Sequence, residues 1–201
     1  IMDMPNTNPL TVTLDALNAK LDLLNEKCIV NHSCYFGATN NNYTEFDKLD
    51  KHRVCGIKLF MGSSTGNMLV DKMNSLLNIF NGTDMLIAAH CEDQETIKNN
   101  IEKYKQKYKG ADDIPVSAHP SIRSVPACYA SSELAVRLAK IAGARLHILH
   151  VSTAKELQLF SDEPLANKNI TAEACVAHLL FTLTHYNSLG AVSYTHLTLP
   201  T

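Results

Sequence analysis

The sequence of 201 residues contains no tryptophan, and it has only eight glycines and seven prolines. These counts exclude a collagen-like repeat and a glycine- or proline-rich disordered chain. No apolar run approaches the roughly 18 residues that a membrane-spanning helix needs. Neither sign of charge dominates, since the formal net charge is −2, so the composition indicates no nucleic-acid or membrane partner. The remaining class is a globular protein, with 45% hydrophobic residues and enough length for one or two domains.

The six cysteines also lack the arrangement of a disulfide or zinc framework. No two of them form a C-x-x-C pair, and a disulfide-stabilised domain is shorter and denser in cysteine. Because reduced thiols are the rule inside cells, we expect mostly buried, reduced cysteines and a cytoplasmic protein.

Short apolar runs alternate with stretches of helical periodicity along the chain. The apolar runs predict strands at 28–37, 56–61, 85–90, 145–151 and 169–173. Apolar spacings of three and four residues predict helices at 13–26, 71–80, 93–109, 127–142 and 153–160. This alternation is typical of an α/β fold with a parallel sheet. No linker divides the chain before about residue 190, so we expect one domain over residues 1–190.

Three of the predicted strands carry a side chain that can bind a metal ion, namely Lys58, His90 and His150. The carboxyl ends of the strands form the active site of a parallel barrel, so such ligands converge although they are distant in sequence. His147 lies three residues before His150, and residues at that spacing face opposite sides of a strand. We therefore expect His147 to pack against the helices or to bond to the backbone. A single core histidine is commonly held by a backbone carbonyl, so a structural role for His90 or His150 stays open.

Lys58 lies within the apolar run Gly56–Met61, where a cation is costly to bury. Burial lowers the pKa of an amine and leaves a neutral nucleophile. Such an amine can form a Schiff base, as in an aldolase, or it can react with CO2 to give a carbamate that bridges two divalent cations. The aldolase alternative would leave His90 and His150 without a role. Asn6 lies in a turn-forming segment, and it can either shape the turn or present its amide to a substrate carboxylate.

Four motifs, in family order and at family-like distances, resemble dihydroorotase of the amidohydrolase superfamily. They are MPNTNP from Met4, GIKLFMG from Gly56, HCED from His90 and HILHVST from His147. Thr171–Glu173 followed by His178 resembles the segment after the seventh barrel strand, so the resemblance covers about residues 1–190.

The resemblance implies an α/β fold that is an incomplete (β/α)8 TIM barrel, with about strands two to seven present. It implies a binuclear zinc site bridged by a CO2-derived carbamate on Lys58, with His90 and His150 on the second zinc ion. Asn6 matches a family position that holds the substrate carboxylate. The family's His-x-His pair would precede Ile1, and its catalytic aspartate on strand eight would follow the end of the chain. We therefore expect one zinc site at most, only partly retained, and little or no activity from the isolated chain.

The implied reaction is the reversible cyclisation of N-carbamoyl-L-aspartate to L-dihydroorotate in pyrimidine biosynthesis. The alternatives are an allantoinase- or dihydropyrimidinase-type cyclic amidohydrolase and a non-catalytic dihydroorotase-like subunit. The expected partner is a small-molecule substrate, with no nucleic acid and no membrane, and a homo-oligomer is left open. Because Ser193–Thr201 does not continue the family pattern, we expect residues 191–201 to be a non-native tail and exclude His196 as a ligand.

Overall fold

The structure is a computed structural model that describes residues 1–62, 66–110 and 114–190. The segment 191–201, which the sequence predicts to be a non-native tail, lies outside the described residues. The described part contains six strands that form one sheet. The strands are β1 (Met2–Asp3), β2 (Ser33–Gly37), β3 (Val54–Phe60), β4 (Ile87–His90), β5 (Leu146–Ile148) and β6 (Ile170–Ala172).

The six strands are hydrogen-bonded in chain order, and every neighbouring pair is parallel. A doubly wound sheet reverses its strand order at a switch point, whereas a (β/α)8 barrel adds each strand beside the preceding one. The order of the sheet is therefore that of a barrel. The predicted fold class, an α/β fold corresponding to part of a TIM barrel, is confirmed.

The α-helices of the described residues lie between the strands or follow the last one. They are α1 (Leu14–Lys27), α2 (Met73–Asn81), α3 (Gln94–Tyr108), α4 (His119–Ile122), α5 (Val125–Ala142), α6 (Val176–Leu180) and α7 (Leu183–Leu189). Short 3-10 helices span Tyr43–Lys48, Val116–Ala118, Ala154–Leu159 and Leu165–Asn167. Across the described ranges, no helix combines the length and the apolar character needed to cross a membrane.

The helix boundaries follow from capping residues in the sequence. The Thr13 side chain accepts a hydrogen bond from the Ala16 amide at 3.3 Å and begins α1, and Asp93 caps α3 in the same way. Gly143 ends α5 with a left-handed φ of 66°, which glycine adopts without strain. The predicted helix at 153–160 is shorter than expected, because only Ala154–Leu159 forms a 3-10 helix there.

Alternation along the strands separates the two faces of the sheet. The face that packs against the helices carries the largest hydrophobic cluster, including Ile57, Leu59, Ile87, Leu146 and Ile148. A smaller cluster on the opposite face contains Tyr35, Ala88 and Leu149. The register aligns Lys58 with Ala88 and Ala88 with His147, so these residues share the face that lies away from the helices.

The prediction that a strand begins at Cys28 is wrong for its first residues. The strand β2 begins at Ser33, and Ile29 is fully exposed. The Cys28 amide donates to the Leu24 carbonyl oxygen at 2.8 Å, so this amide completes the last turn of α1 and does not pair with a neighbouring strand. The register then pairs Ser33 with Met2, so the pairing with β1 begins only there.

Gly56 in β3 permits a close approach of the neighbouring backbone. A Cβ atom at this position would lie 2.5 Å from the Leu86 carbonyl oxygen, which already accepts a hydrogen bond from the Ile57 amide at 2.8 Å. We expect Gly56→Ala to lower the free energy of unfolding by about 1–3 kcal/mol in urea denaturation. The matched control is Gly37→Ala, whose Cβ would meet only side-chain atoms, at 3.0–3.2 Å. Equal losses in the two variants would contradict this explanation.

Candidate metal centre

Two predicted ligands meet at the carboxyl ends of adjacent strands. His90 is the last residue of β4, and His150 follows the end of β5 by two residues. His90 Nδ1 lies 3.0 Å from His150 Nε2, and the ring planes are inclined at 63°. Parallel pairing of β4 and β5 thus brings together two side chains that are 60 residues apart in sequence.

His150 has an unusual backbone conformation and a lowered pKa. Its φ of 38° lies in the left-handed region, which is uncommon for residues other than glycine and recurs at functional sites. Burial, with the nearby His90 and Lys58, lowers the pKa of His150 to about 4. The ring is therefore neutral near pH 7, which is the form of histidine that binds a metal ion.

A carboxylate and a guanidinium group lie behind the histidine pair. Glu92 Oε2 lies 2.9 Å from His90 Nε2, and the same oxygen accepts a hydrogen bond from Arg123 Nη1. Burial raises the pKa of the Glu92 carboxyl, but the hydrogen bonds from His90 and Arg123 outweigh this effect, and the pKa falls to about 2. Glu92 is therefore ionised and acts only as an acceptor. Neither Glu92 nor Arg123 is among the site residues predicted from the sequence.

Lys58 is buried on β3, the strand next to β4, with 3% of its surface exposed. Its Nζ atom lies 3.7 Å from the centroid of the Phe60 ring and donates to the Leu59 carbonyl oxygen at 3.3 Å. Burial lowers the pKa of Lys58 to about 7, although Cys91 and Glu173 oppose this shift. A substantial fraction of the amine is then neutral at physiological pH, as the reaction with CO2 requires.

The expectation that His147 packs against the helices or bonds to the backbone is wrong. The flanking residues Leu146 and Ile148 belong to the core under the helices, so the His147 side chain points to the opposite face. Its Nδ1 atom lies 2.8 Å from Thr171 Oγ1, and its Nε2 atom lies 3.2 Å from Glu173 Oε2. The register pairs His147 with Thr171, so the contact follows from sheet pairing, which local sequence does not reveal.

A cavity of about 710 Å³ opens beside the two histidines. Its lining includes His90, His150, Glu92 and Arg123. Asn6 lies half-buried in the loop after β1, at the same edge of the sheet but three strands from β4. Within the described residues, neither Asn6 nor Lys58 lines this cavity. The structure therefore brings His90 and His150 together and leaves Asn6 apart from them.

The cysteine thiols of this cavity are not activated. Cys91 and Cys128 are buried in its wall, and burial raises the pKa of each thiol to about 12. Both thiols stay protonated at neutral pH, so neither is a ready nucleophile.

The donor atoms fit half of a metal site. Ligand nitrogens at the usual 2.0–2.1 Å from a tetrahedral zinc ion are about 3.3 Å apart, close to the 3.0 Å between His90 Nδ1 and His150 Nε2. In the described ranges, no group of three His, Cys, Asp or Glu side chains could hold a metal ion. Lys58 is not one of these residue types, and it would offer a carboxylate only after its amine has become a carbamate.

Comparisons with known proteins agree with this architecture, although no family model matches the sequence. The chain is 28% identical to a dihydroorotase of Methanosphaera stadtmanae over 98% of its length, and 25% identical to an allantoinase of Deinococcus radiodurans over 94%. The chain spans 44% and 43% of these two relatives, which is less than half of each. Among solved structures, it matches an L-hydantoinase (dihydropyrimidinase) of Arthrobacter aurescens with a TM-score of 0.83 and 25% identity, covering 94% of this chain and 42% of that one.

The sheet corresponds to part of a TIM barrel, and the dihydroorotase, allantoinase and hydantoinase relatives support a cyclic amidohydrolase as the class of protein that this chain resembles. Several of the curated relatives are dihydroorotases, which are about 25–28% identical to this chain. The resemblance that the four motifs indicate is thereby confirmed.

Proposed function

We propose that this chain carries one half of the binuclear metal centre of a cyclic amidohydrolase, and that the reaction is that of a dihydroorotase. The observation that carries the proposal is the contact of His90 Nδ1 with His150 Nε2, 3.0 Å apart at the carboxyl ends of β4 and β5. In a parallel barrel, this edge of the sheet is where active sites are built.

In the proposed centre, His90 Nδ1 and His150 Nε2 hold one metal ion, for which we propose zinc. Lys58 would supply a carboxylate to the centre after its neutral amine adds to CO2. That addition forms one N–C bond and releases one proton from the nitrogen, which leaves an anionic carbamate. When bound, divalent metal ions lower the pKa of a water molecule and polarise the amide carbonyl of the substrate.

The surrounding residues define what the site can accept. The cavity of about 710 Å³ beside the histidines has the size of a small-molecule site and combines polar groups with apolar walls. Asn6 lies at the same edge of the sheet but outside this cavity, and its role as a ligand of the substrate carboxylate is proposed only from the resemblance of the MPNTNP motif to dihydroorotase. The HCED motif at His90 and the MPNT motif at Met4 favour dihydroorotate over allantoin or dihydropyrimidines as the substrate. The allantoinase relative keeps the second candidate open, because its identity to this chain, 25%, is close to that of the dihydroorotases.

A substrate panel tests the proposed reaction. The chain spans less than half of its relatives' length, so the assay uses the protein encoded by the reading frame extended on both sides in the source DNA. We expect turnover of dihydroorotate and N-carbamoyl-aspartate, and slower or no turnover of allantoin, hydantoin and dihydrouracil. The matched control is the His150→Asn variant of the same protein, which we expect to lose turnover. A preference for allantoin would support the alternative substrate, and turnover that survives both His150→Asn and metal chelation would contradict the proposed centre.

A further inference from the structure

We propose that Glu92 and Arg123 are positioning residues that set the tautomer of His90, so that its Nδ1 lone pair faces His150. This inference rests on the proposed function, because the Nδ1 atom matters only if it binds the metal ion. The proposal assigns a role to two residues that lie outside the candidate ligand set. It is carried by a chain of contacts that runs from the wall of the cavity to the histidine pair.

The first step concerns the proton on His90. Glu92 is a carboxylate that can only accept, and its Oε2 atom lies 2.9 Å from His90 Nε2. His90 Nε2 must therefore carry a hydrogen, and the lone pair of the Nε2–H tautomer is on Nδ1. Nδ1 is also the atom that faces His150 Nε2 at 3.0 Å. A carboxylate behind a histidine orients ligands in this way in many metal sites and increases their basicity.

The second step concerns what holds Glu92. Arg123, in the connection between α4 and α5, bonds to the same Oε2 atom as His90. The Arg123 side chain is about one-third exposed and Glu92 is buried, and both residues line the cavity. On the other side, the Gly62 position packs against Glu92, since a Cβ atom there would lie 2.9 Å from the Glu92 backbone. Glu92 therefore lies between the segment that follows β3 and Arg123, and its Oε2 atom is engaged by both Arg123 and His90.

A structural alternative is that the Arg123–Glu92 ion pair only fastens the α4–α5 connection to the sheet. That alternative predicts a loss of stability when the pair is broken, with no change in the His90 tautomer. The two explanations therefore differ in a quantity that can be measured in the metal-free chain. The experiment needs this second measurement, because a change in metal affinity alone can follow from partial unfolding.

The first measurement is the affinity of the 201-residue chain for Co²⁺. Co²⁺ is titrated into the chain in bicarbonate buffer, and binding is monitored by the visible absorption of the ion. We expect Glu92→Gln to weaken binding by about 10–100-fold, the usual effect of removing such an outer-shell carboxylate. Arg123→Gln should weaken Co²⁺ binding by a smaller factor. Arg123→Lys should bind Co²⁺ more tightly than Arg123→Gln, because it keeps a positive charge beside the Glu92 carboxylate. The matched control is Glu95→Gln on the exposed side of α3, which should bind as the wild type does.

The second measurement is the tautomer of His90, read from the ring nitrogen shifts of ¹⁵N-histidine-labelled, metal-free chain. We expect Nε2–H in the wild type and in Glu95→Gln, and a mixed or Nδ1–H population in Glu92→Gln. An unchanged tautomer in Glu92→Gln would overturn the proposal even if metal affinity falls. If the wild type binds no Co²⁺, the proposed metal centre fails, whereas the tautomer result still decides whether Glu92 and Arg123 orient the ring.

Discussion

Replacing His90 with asparagine is expected to weaken the binding of Co²⁺ to this chain by about 10²–10³-fold. A four-ligand zinc site contributes roughly 10–16 kcal/mol, so a single ligand accounts for about 2.5–4 kcal/mol, and about 1.4 kcal/mol corresponds to a factor of ten. The loss should be large because His90 offers Nδ1 to the metal and already has its Nε2 atom engaged by Glu92. Asparagine keeps a polar group but cannot reproduce a ring nitrogen in that position.

Isothermal titration of Co²⁺ into wild type and variant in bicarbonate buffer measures this effect. The matched control is His32→Asn, because His32 is only half-buried and its ring bonds only to Asn25 and Val30 among the described contacts. His32→Asn should bind like the wild type. If His90→Asn and His32→Asn bind Co²⁺ equally well, the ion is held elsewhere and the proposed centre is wrong.

Replacing Lys58 with methionine is expected to raise the stability of the fold and to abolish carbamate formation. In metal-free buffer without CO2, the free energy of unfolding should rise by about 1–3 kcal/mol, because a buried amine with one long hydrogen bond gives way to an apolar chain of similar length. In bicarbonate with Zn²⁺, the variant should lose the labelled carbamate that the wild type forms. Lys58 is then a residue that lowers stability and is retained for its chemistry.

Urea denaturation measures the first effect, and ¹³C NMR with labelled bicarbonate measures the second. Lys98→Met is the control for the lysine-to-methionine change, since Lys98 is exposed on α3 and should alter stability by less than about 0.5 kcal/mol. A lower stability of Lys58→Met would mean that the amine makes a net stabilising interaction in the fold. A carbamate signal that persists in Lys58→Met would assign carboxylation to another lysine.

Most of the fold can be predicted from local patterns in this sequence. Short apolar runs between helical stretches predict β3, β4 and β5. Capping residues such as Thr13 and Asp93 predict where α1 and α3 begin. The strand-end positions of His90 and His150 follow from the same patterns. The start of β2 could not be predicted, because the apolar run at Cys28 ends a helix in the folded chain and has no strand partner there.

The supporting residues of the site could not be predicted in the same way. Glu92 offered a partial indication, since it lies two residues after His90 in an extended segment, where side chains return to one face. The sequence around Arg123 gave no such indication, because Arg123 and Glu92 are 31 positions apart and their contact depends on the path of the α4–α5 connection.

The sequence alone therefore determined the class of fold and the side chains that can act as ligands, because both depend on periodicity and on residue type. The tertiary structure decided which ring atoms of His90 and His150 face each other. It also decided that His147 contacts Glu173 on the neighbouring chain segment and that Arg123 donates a hydrogen bond to Glu92. Those outcomes depend on strand register and on the paths of connecting segments. They join residues 24 to 60 positions apart through contacts that no local pattern records.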